Sequence, residues 1–393
     1  MVYPVIRLQP QKHRRVQSGH PWIYSNEIVM DSDAKALPRG TMVSFHAHDK
    51  TFLGIGSFNP HCLIAGRIFT PHLTDEIGVE WLSLRIANAI HLRELLVAAP
   101  FYRLIHAEAD TLPGLIIDRF DDSLCVQLNS AGMDVLWPAI ENALRAILKP
   151  RRIILRNDSF AREIEGLPRE TKIIGDALEG PVTLSENNLT YFADIAGGQK
   201  TGWYFDQRDN HALVARYAAQ ANSVLDLYTH AGGFALACAK AGARKITGVD
   251  SSEPALALAR QAAAHNKLAC DFQRADVFED LERRITVKEK HQIVIADPPA
   301  FVKSRKDLAS GSRGYRKLAK LSASVTDKGG LLFIASCSHN MELANFIENV
   351  AAGLSDAKRT GRILHTRFAA PDHPTHPHLP ESAYLKGLLL SID

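Results

Sequence analysis

Val224-Leu225-Asp226-Leu227-Tyr228-Thr229-His230-Ala231-Gly232-Gly233-Phe234 is the stretch that decides the fold. Residues 224–227 read as a short buried strand, and the glycine pair opens a helix over 233–241. Downstream the alternation repeats. Strands at 245–249, 271–273, 293–296 and 330–336 are each followed by a helix, at 254–266, 277–284, 315–324 and 343–354. Strands alternating with helices indicate βαβ units and a parallel sheet. An α/β, Rossmann-like domain is therefore expected over 186–393.

Toward the N-terminus the pattern changes twice. Residues 1–74 hold short apolar runs (41–45, 52–57, 62–69) broken by Pro38-Arg39-Gly40, Asp49-Lys50 and Asn59-Pro60. Such spacing predicts a small β-rich domain. It carries Arg7 and the basic stretch Lys12-His13-Arg14-Arg15, expected to meet phosphates, then Gly19-His20-Pro21-Trp22, whose indole is expected in the core. Residues 75–185 mix a helix over 77–98, strands at 115–118 and 124–128 around Asp121-Asp122, a helix over 135–148 and a strand at 153–155. A small α+β central domain fits.

Composition narrows the class. The 393 residues are 46% hydrophobic and 23% charged, as in ordinary globular proteins. No apolar run reaches membrane-spanning length, and Met1 to Pro10 lacks the apolar core of a signal peptide. The five cysteines are scattered with no C-x-x-C pair, which argues against a disulfide framework or zinc ribbon and for reduced thiols in the cytosol. A net charge of +3 permits nucleic-acid binding without demanding it. The tail histidines His373, His376 and His378 are interrupted by Pro374 and Pro377 and read as a solvated loop; no metal is expected.

The strand ends carry the chemistry, because ligands of open α/β sheets sit beyond the carboxyl ends of the strands. The first strand runs out at Asp226-Leu227-Tyr228, the second at Asp250, the third leads to Asp276, and the fourth ends at Asp297-Pro298-Pro299. A carboxylate at Asp250 suits ribose hydroxyls, with Ser251 or Ser252 as the helix cap. A dinucleotide needs G-x-G-x-x-G to approach its pyrophosphate. Here only Gly232-Gly233 is present, followed by Phe234 and preceded by an acid, Asp226. That suits a cationic sulfonium donor, S-adenosylmethionine, better than a dinucleotide.

The acceptor chemistry is read from the next two strand ends. The prolines after Asp297 stiffen a loop whose carboxylate can bond a base edge and whose Phe301 can stack on a base. The fifth strand runs into Ser336-Cys337-Ser338-His339. Carbon 5 of a pyrimidine is a poor nucleophile until a thiolate adds to carbon 6. Cys337 is the cysteine placed for that; Cys62, Cys125, Cys238 and Cys270 read as core or surface thiols. His339, two residues on, is a candidate for polarising the thiol.

Taken together, these motifs resemble the ribosomal large-subunit RNA methyltransferase I family. Gly198-Gln199-Lys200-Thr201-Gly202-Trp203-Tyr204-Phe205-Asp206-Gln207-Arg208 is similar to its G-x-K-T-G-x-x-x-D-Q-R segment. The Gly-Gly-Phe loop, Asp297-Pro298-Pro299-x-Phe301, Ser336-Cys337-Ser338, Leu112-Pro113-Gly114-Leu115-x-x-Asp118-Arg119 and His20-Pro21-Trp22 match as well. The resemblance spans nearly the whole chain. It implies an N-terminal PUA domain, a central α+β domain and a C-terminal methyltransferase domain acting on carbon 5 of a cytosine in 23S rRNA. It also implies donor contacts from Gln199, Lys200, Tyr204, Asp206 and Arg208, and a nucleophile at Cys337. Ala300 stands where many relatives have Lys, and His339 where the bacterial rRNA enzyme has Gly. Two-cysteine cytosine methyltransferases carry a second cysteine in the proline-rich loop; here that loop has Pro299 and Ala300, so the base removing the carbon-5 proton is unassigned.

Three other readings remain open at this level: methylation of an exocyclic base amine, methylation of uracil carbon 5, and an RNA-binding assembly factor with a vestigial donor pocket. Oligomeric state is open too, a homodimer being one option.

Overall fold

The computed structural model describes residues 3–199 and 201–393. Lys200, one of the candidate donor contacts, lies outside the described residues. The chain forms two compact units. The first comprises Met1–Gly180, Ile195–Gly202 and Asp372–Pro380; the second comprises Pro181–Asp194, Trp203–Pro371 and Glu381–Asp393.

The first unit contains two five-stranded sheets. One uses Val5–Arg7, Trp22–Tyr24, Thr41–His46, Phe52–Phe58 and Ile64–Thr70, close to the runs read from the sequence. Its inward alternation buries Val43, Phe45 and Phe58 around Ile23. Arg7, Lys12 and Arg14 are exposed, whereas Arg15 is half-buried and paired with Glu27 at 2.7 Å. Trp22 is half-buried, its indole N–H donating to Glu108 at 2.8 Å.

The other sheet uses Phe101–His106, Leu115–Phe120, Ser123–Leu128, Arg152–Asn157 and Glu170–Gly175. Helices Val79–Leu96 and Trp137–Leu148 supply Leu82, Ile86, Ile140 and Leu144 to its core. Two segments distant in sequence are bonded to it. Arg156 donates to the carbonyls of Ile195 (3.2 Å) and Gly198 (2.9 Å). Buried Arg93 forks onto Asp110 (2.6 and 2.7 Å) and reaches the Asp372 carbonyl at 3.1 Å. The His-rich tail is thus not simply a solvated loop: His373 is buried, its ring nitrogen 2.9 Å from the Asp372 carboxylate. The Arg93 and Arg103 contacts order the segment there, against what its prolines suggest.

The second unit is built on a seven-stranded sheet. In chain order its strands are β1 (Ser223–Leu227), β2 (Lys245–Asp250), β3 (Asp271–Arg274), β4 (His291–Ala296), β5 (Thr326–Ser336), β6 (Gly361–Arg367) and β7 (Lys386–Ile392). Their spatial order is β3-β2-β1-β4-β5-β7-β6. The first five are mutually parallel, and β7 runs antiparallel between β5 and β6. Helices α1 (Arg208–Ala218), α2 (Gly233–Ala241), α3 (Glu253–His265), α4 (Val277–Thr286), α5 (Leu308–Val325) and α6 (Leu343–Asp356) complete the alternation. The order reverses between β1 and β4, so their carboxyl ends flank the crevice where this kind of sheet binds ligands.

Two features escape the periodicity. Strands β6 and β7 follow no βαβ rhythm. Helix α5 begins seven residues before the expected 315, because Gly311 and Gly314 lower the apparent helix propensity. Packing explains both glycines. A Cβ on Gly311 would stand 2.4 Å from Val302, and one on Gly314 would stand 2.9 Å from Phe301. The helix therefore lies directly against the loop that follows Asp297-Pro298-Pro299.

Candidate active site

The end of β1 sets a charge in an apolar place. Asp226 is buried; its Oδ2 accepts from the Thr229 hydroxyl (2.6 Å) and the Ala235 N–H (3.0 Å). Its Oδ1 is buried and has no hydrogen-bond partner among the described residues. Burial pushes the carboxyl up to about 7, against the pull of Thr229 and His211. The loop beyond holds Tyr228 (φ 61°) and His230 (φ 50°) in left-handed backbone, a cost that non-glycine residues sustain mostly at functional loops. Gly232 and Gly233 permit the tight entry into α2: a Cβ on the first would meet Leu236 at 2.3 Å, and on the second the His211 ring at 2.6 Å. Phe234 is a core residue, its ring 4.4 Å from that of His211 and 5.2 Å from that of Phe333.

At the end of β2, Asp250 is half-buried. One oxygen accepts the His230 N–H at 2.9 Å and the other the Ser252 N–H at 2.8 Å. Each oxygen keeps a second lone pair. Ser252, not Ser251, caps α3. Asp276 is exposed and caps α4 through the N–H groups of Phe278 and Glu279, using only Oδ1.

Residues ahead of β1 reach the same strand ends. Tyr204 packs edge-on against His230 with centroids 4.9 Å apart. Asp206 is buried and accepts from the Tyr384 hydroxyl. Arg208 lies over the Phe205 ring at 5.4 Å and 3.7 Å from Glu186. Gln207 donates to Asp297 at 2.8 Å and is itself bonded by Asn210 at 2.6 Å. Sequence reasoning passed over Gln207, although it stands between two candidates in the Asp-Gln-Arg segment. Gln199 belongs to the first unit.

The end of β5 is fixed by hydroxyls. Ser336 and Ser338 both bond the Tyr315 hydroxyl at 2.8 Å, and Ser338 also accepts the Val302 N–H at 3.1 Å. All three side chains are buried. Alternation along an extended chain then turns Cys337 the other way. Its half-buried thiol donates toward the Pro298 carbonyl at 3.8 Å, within the Asp-Pro-Pro loop. Phe301 packs on Tyr315 at 4.9 Å. Lys386, at the start of β7, pairs with Ser336 across the sheet and is only 5% exposed. His339 is exposed, and its Nδ1 lies 3.3 Å from the Glu381 carbonyl. Burial pushes the other thiols up: Cys62 to about 11, Cys270 to about 12, and Cys125 and Cys238 likewise upward.

These strand ends fit a nucleoside ligand bearing positive charge. Asp226 offers an unmatched carboxylate oxygen, Asp250 retains acceptor capacity for two hydroxyls, and no glycine array is built for pyrophosphate. A strand order of β3-β2-β1-β4-β5-β7-β6 with such ends defines a class I S-adenosylmethionine-dependent methyltransferase. In agreement, a family model for S-adenosylmethionine-dependent methyltransferases matches residues 154–391, and one for PUA-like domains matches residues 6–71.

The chain belongs to the ribosomal RNA large subunit methyltransferase I family. The protein of that name from Pseudoalteromonas atlantica is 34% identical, with 98% of this chain and 99% of the relative covered. That from Aeromonas salmonicida is 35% identical over 98% of each. Among solved structures, a SAM-dependent methyltransferase from Streptococcus mutans superposes with a TM-score of 0.82 at 19% identity, covering 100% of both chains, a likeness of fold. Among the described residues no helix is long and apolar enough to cross a membrane. No group of three His, Cys, Asp or Glu among them is arranged to hold a metal.

Proposed function

We propose that this protein methylates carbon 5 of a cytosine in 23S rRNA, with Cys337 as covalent nucleophile and Asp297 holding the base edge. The reading rests chiefly on one observation: Cys337 stands at the Asp-Pro-Pro loop while its two serine neighbours are locked by Tyr315. The relatives' names, which specify large-subunit ribosomal RNA, supply the substrate class.

In this reading Asp250 holds the donor ribose, and Asp226, Tyr228 and the amides of the Gly232-Gly233 turn line the donor side. Tyr204, Asp206 and Arg208 complete it by family resemblance. S-adenosylmethionine, when bound, supplies an electrophilic methyl group. The Cys337 sulfur adds to carbon 6, and the carbon 5–carbon 6 π pair moves into the ring, making carbon 5 nucleophilic. After carbon 5 has gained the methyl group, a base takes its proton, the carbon–hydrogen pair re-forms the carbon 5–carbon 6 double bond, and the carbon–sulfur pair returns to sulfur. Asp297, itself bonded by Gln207, keeps the base in register with that sulfur. The exposed Arg7, Lys12 and Arg14 of the 1–74 domain supply phosphate contacts.

Replacing Cys337 tests this directly. Cys337→Ala is expected to keep donor and RNA affinity and to lose methyl transfer by on the order of a thousandfold or more. RNA carrying 5-fluorocytosine should trap the wild-type protein as an adduct whose peptide mass maps to Cys337. Near-normal turnover of Cys337→Ala would sink the covalent reading and favour transfer to an exocyclic amine, which needs no thiol.

A further inference from the structure

The two pyrimidines differ at position 4: cytosine carries an amino donor there, and uracil a carbonyl acceptor. A carboxylate held as an acceptor bonds the first and repels the second. We propose that Gln207, Asn210 and Arg367 form a hydrogen-bonded relay that fixes Asp297 in the acceptor role and so sets a preference for cytosine over uracil. The inference rests on the reading of Asp297 as the group at the base edge, and it names the residues that decide which base that edge accepts.

The relay lies wholly within the second unit. Arg367 ends β6, and its Nε donates to the Asn210 Oδ1 at 3.3 Å. Asn210, in the first turn of α1, donates through Nδ2 to the Gln207 Oε1 at 2.6 Å and to the Phe368 carbonyl at 3.4 Å. Gln207, just ahead of α1, donates through Nε2 to the Asp297 Oδ2 at 2.8 Å, and Asp297 directly follows β4. Residues three apart at a helix start share one face, which brings the two amides together. Gln207 and Asn210 are buried, and Arg367 is half-buried.

The Arg367 end gives the relay its sense. A guanidinium only donates, so Asn210 turns its oxygen to Arg367 and its amide nitrogen to Gln207. Gln207 then presents its oxygen to Asn210 and its nitrogen to Asp297. Reversing both amides would set N–H against N–H at Arg367 and oxygen against oxygen at Asp297. Asp297 therefore receives an N–H donor, which favours the anion over the acid and holds the carboxylate against rotation. The anion can accept from the cytosine 4-amino group, but it has no proton to offer the uracil 4-carbonyl. With water excluded around Gln207 and Asn210, a broken link leaves a buried amide unsatisfied, so the sense is strongly held. All three residues act on the substrate through Asp297 and are positioning residues.

The test compares kcat/KM for methyl transfer to two transcripts at saturating S-adenosylmethionine. One is unmodified 23S rRNA, with the methylated cytosine located by mass mapping; the other carries uracil at that one position. The ratio, taken within one variant, cancels changes in donor binding and in active fraction. The wild type should favour cytosine by at least about a hundredfold. Gln207→Leu removes the donor to Asp297. Asn210→Asp, nearly the same size, has no N–H for Gln207, whose amide then turns its nitrogen away from Asp297. Each should lower the ratio at least about tenfold. Arg367→Met should lower it about threefold, whereas Arg367→Lys, which keeps a cationic donor, should stay within about twofold of the wild type. The Arg367 pair carries the comparison if the buried variants do not fold. An unchanged ratio in folded variants, or an equal loss on both transcripts, would mark a merely structural clamp and overturn the inference, as would a wild-type ratio near one. A wild-type product other than 5-methylcytosine sinks the cytosine reading and this inference together. That failure shows in the wild type, whereas failure of the relay alone shows only in the variants.

Discussion

The two halves of the proposed site in the second unit are assembled differently. On the donor side the bonds of Asp226 and Asp250 stay within two adjacent strand-to-helix turns, although Asp206 takes the Tyr384 hydroxyl from far along the chain: Asp226 meets Thr229 three residues on and Ala235 nine residues on, and Asp250 meets Ser252 two residues on and His230 twenty residues back. On the acceptor side they span the domain: Tyr315 meets Ser338 across 23 residues, Cys337 meets Pro298 across 39, and Lys386 meets Ser338 across 48. A local turn keeps its shape whenever its strand and helix form. A corner tied by three distant elements depends on all of them, so single losses there should disturb chemistry while sparing donor binding.

Tyr315→Phe is the sharpest way to break the contrast. It removes the hydroxyl that holds Ser336 and Ser338, leaving two buried hydroxyls a partner short. We expect kcat to fall on the order of 10- to 100-fold through misplacement of Cys337, with donor affinity unchanged by titration calorimetry. A matching loss of donor affinity would show that the two halves are not independent.

Asp250→Ala should do the reverse. Donor affinity is expected to fall roughly tenfold or more through loss of charge-assisted hydrogen bonds, with the Cys337 alkylation rate unaltered. Equal donor binding in the folded variant would remove Asp250 from the ribose position.

Asp226 sharpens the comparison through pH. With its carboxyl raised to about 7, it is partly protonated at neutrality. A cationic donor favours the ionised form, so binding should release a proton, and affinity should drop about threefold between pH 7.5 and 6.5. Proton release is measurable by calorimetry in buffers of different ionisation enthalpy; its absence would uncouple Asp226 from the donor. The stability sign is opposite. A carboxyl raised on folding contributes stability that is full below the unfolded value near 4 and lost as pH rises through 7. Asp226→Asn should therefore raise the melting temperature of the ligand-free protein at pH 8, with little difference near pH 4.

The smallest effect belongs to the other unit. Lys12 is exposed, and Lys12→Ala should weaken RNA binding only about two- to threefold and flatten its salt dependence by about one counterion. An unchanged salt slope in filter binding would take Lys12 off the RNA path.

What could be read in the chain alone follows from how local each signal is. The alternation from β1 to α6, the acid at the first four strand ends, the glycine turn into α2 and the β-rich start of the chain are set by short-range periodicity and turn chemistry, which survive in one dimension. Helix α5 was only partly legible, because Gly311 and Gly314 serve contact with Phe301 and Val302 rather than the helix itself. Strands β6 and β7 were invisible to the βαβ rhythm because they add antiparallel to a parallel sheet. Lys386 was therefore indistinguishable from any surface lysine until β7 was laid beside β5. The burial of His373, the Tyr315 clamp on both serines and the Gln207 bond to Asp297 are likewise decisions of tertiary structure. Each joins residues far apart in the chain, and the strength of a polar contact is set by the water excluded around it. Sequence spacing does not record that exclusion; only packing creates it.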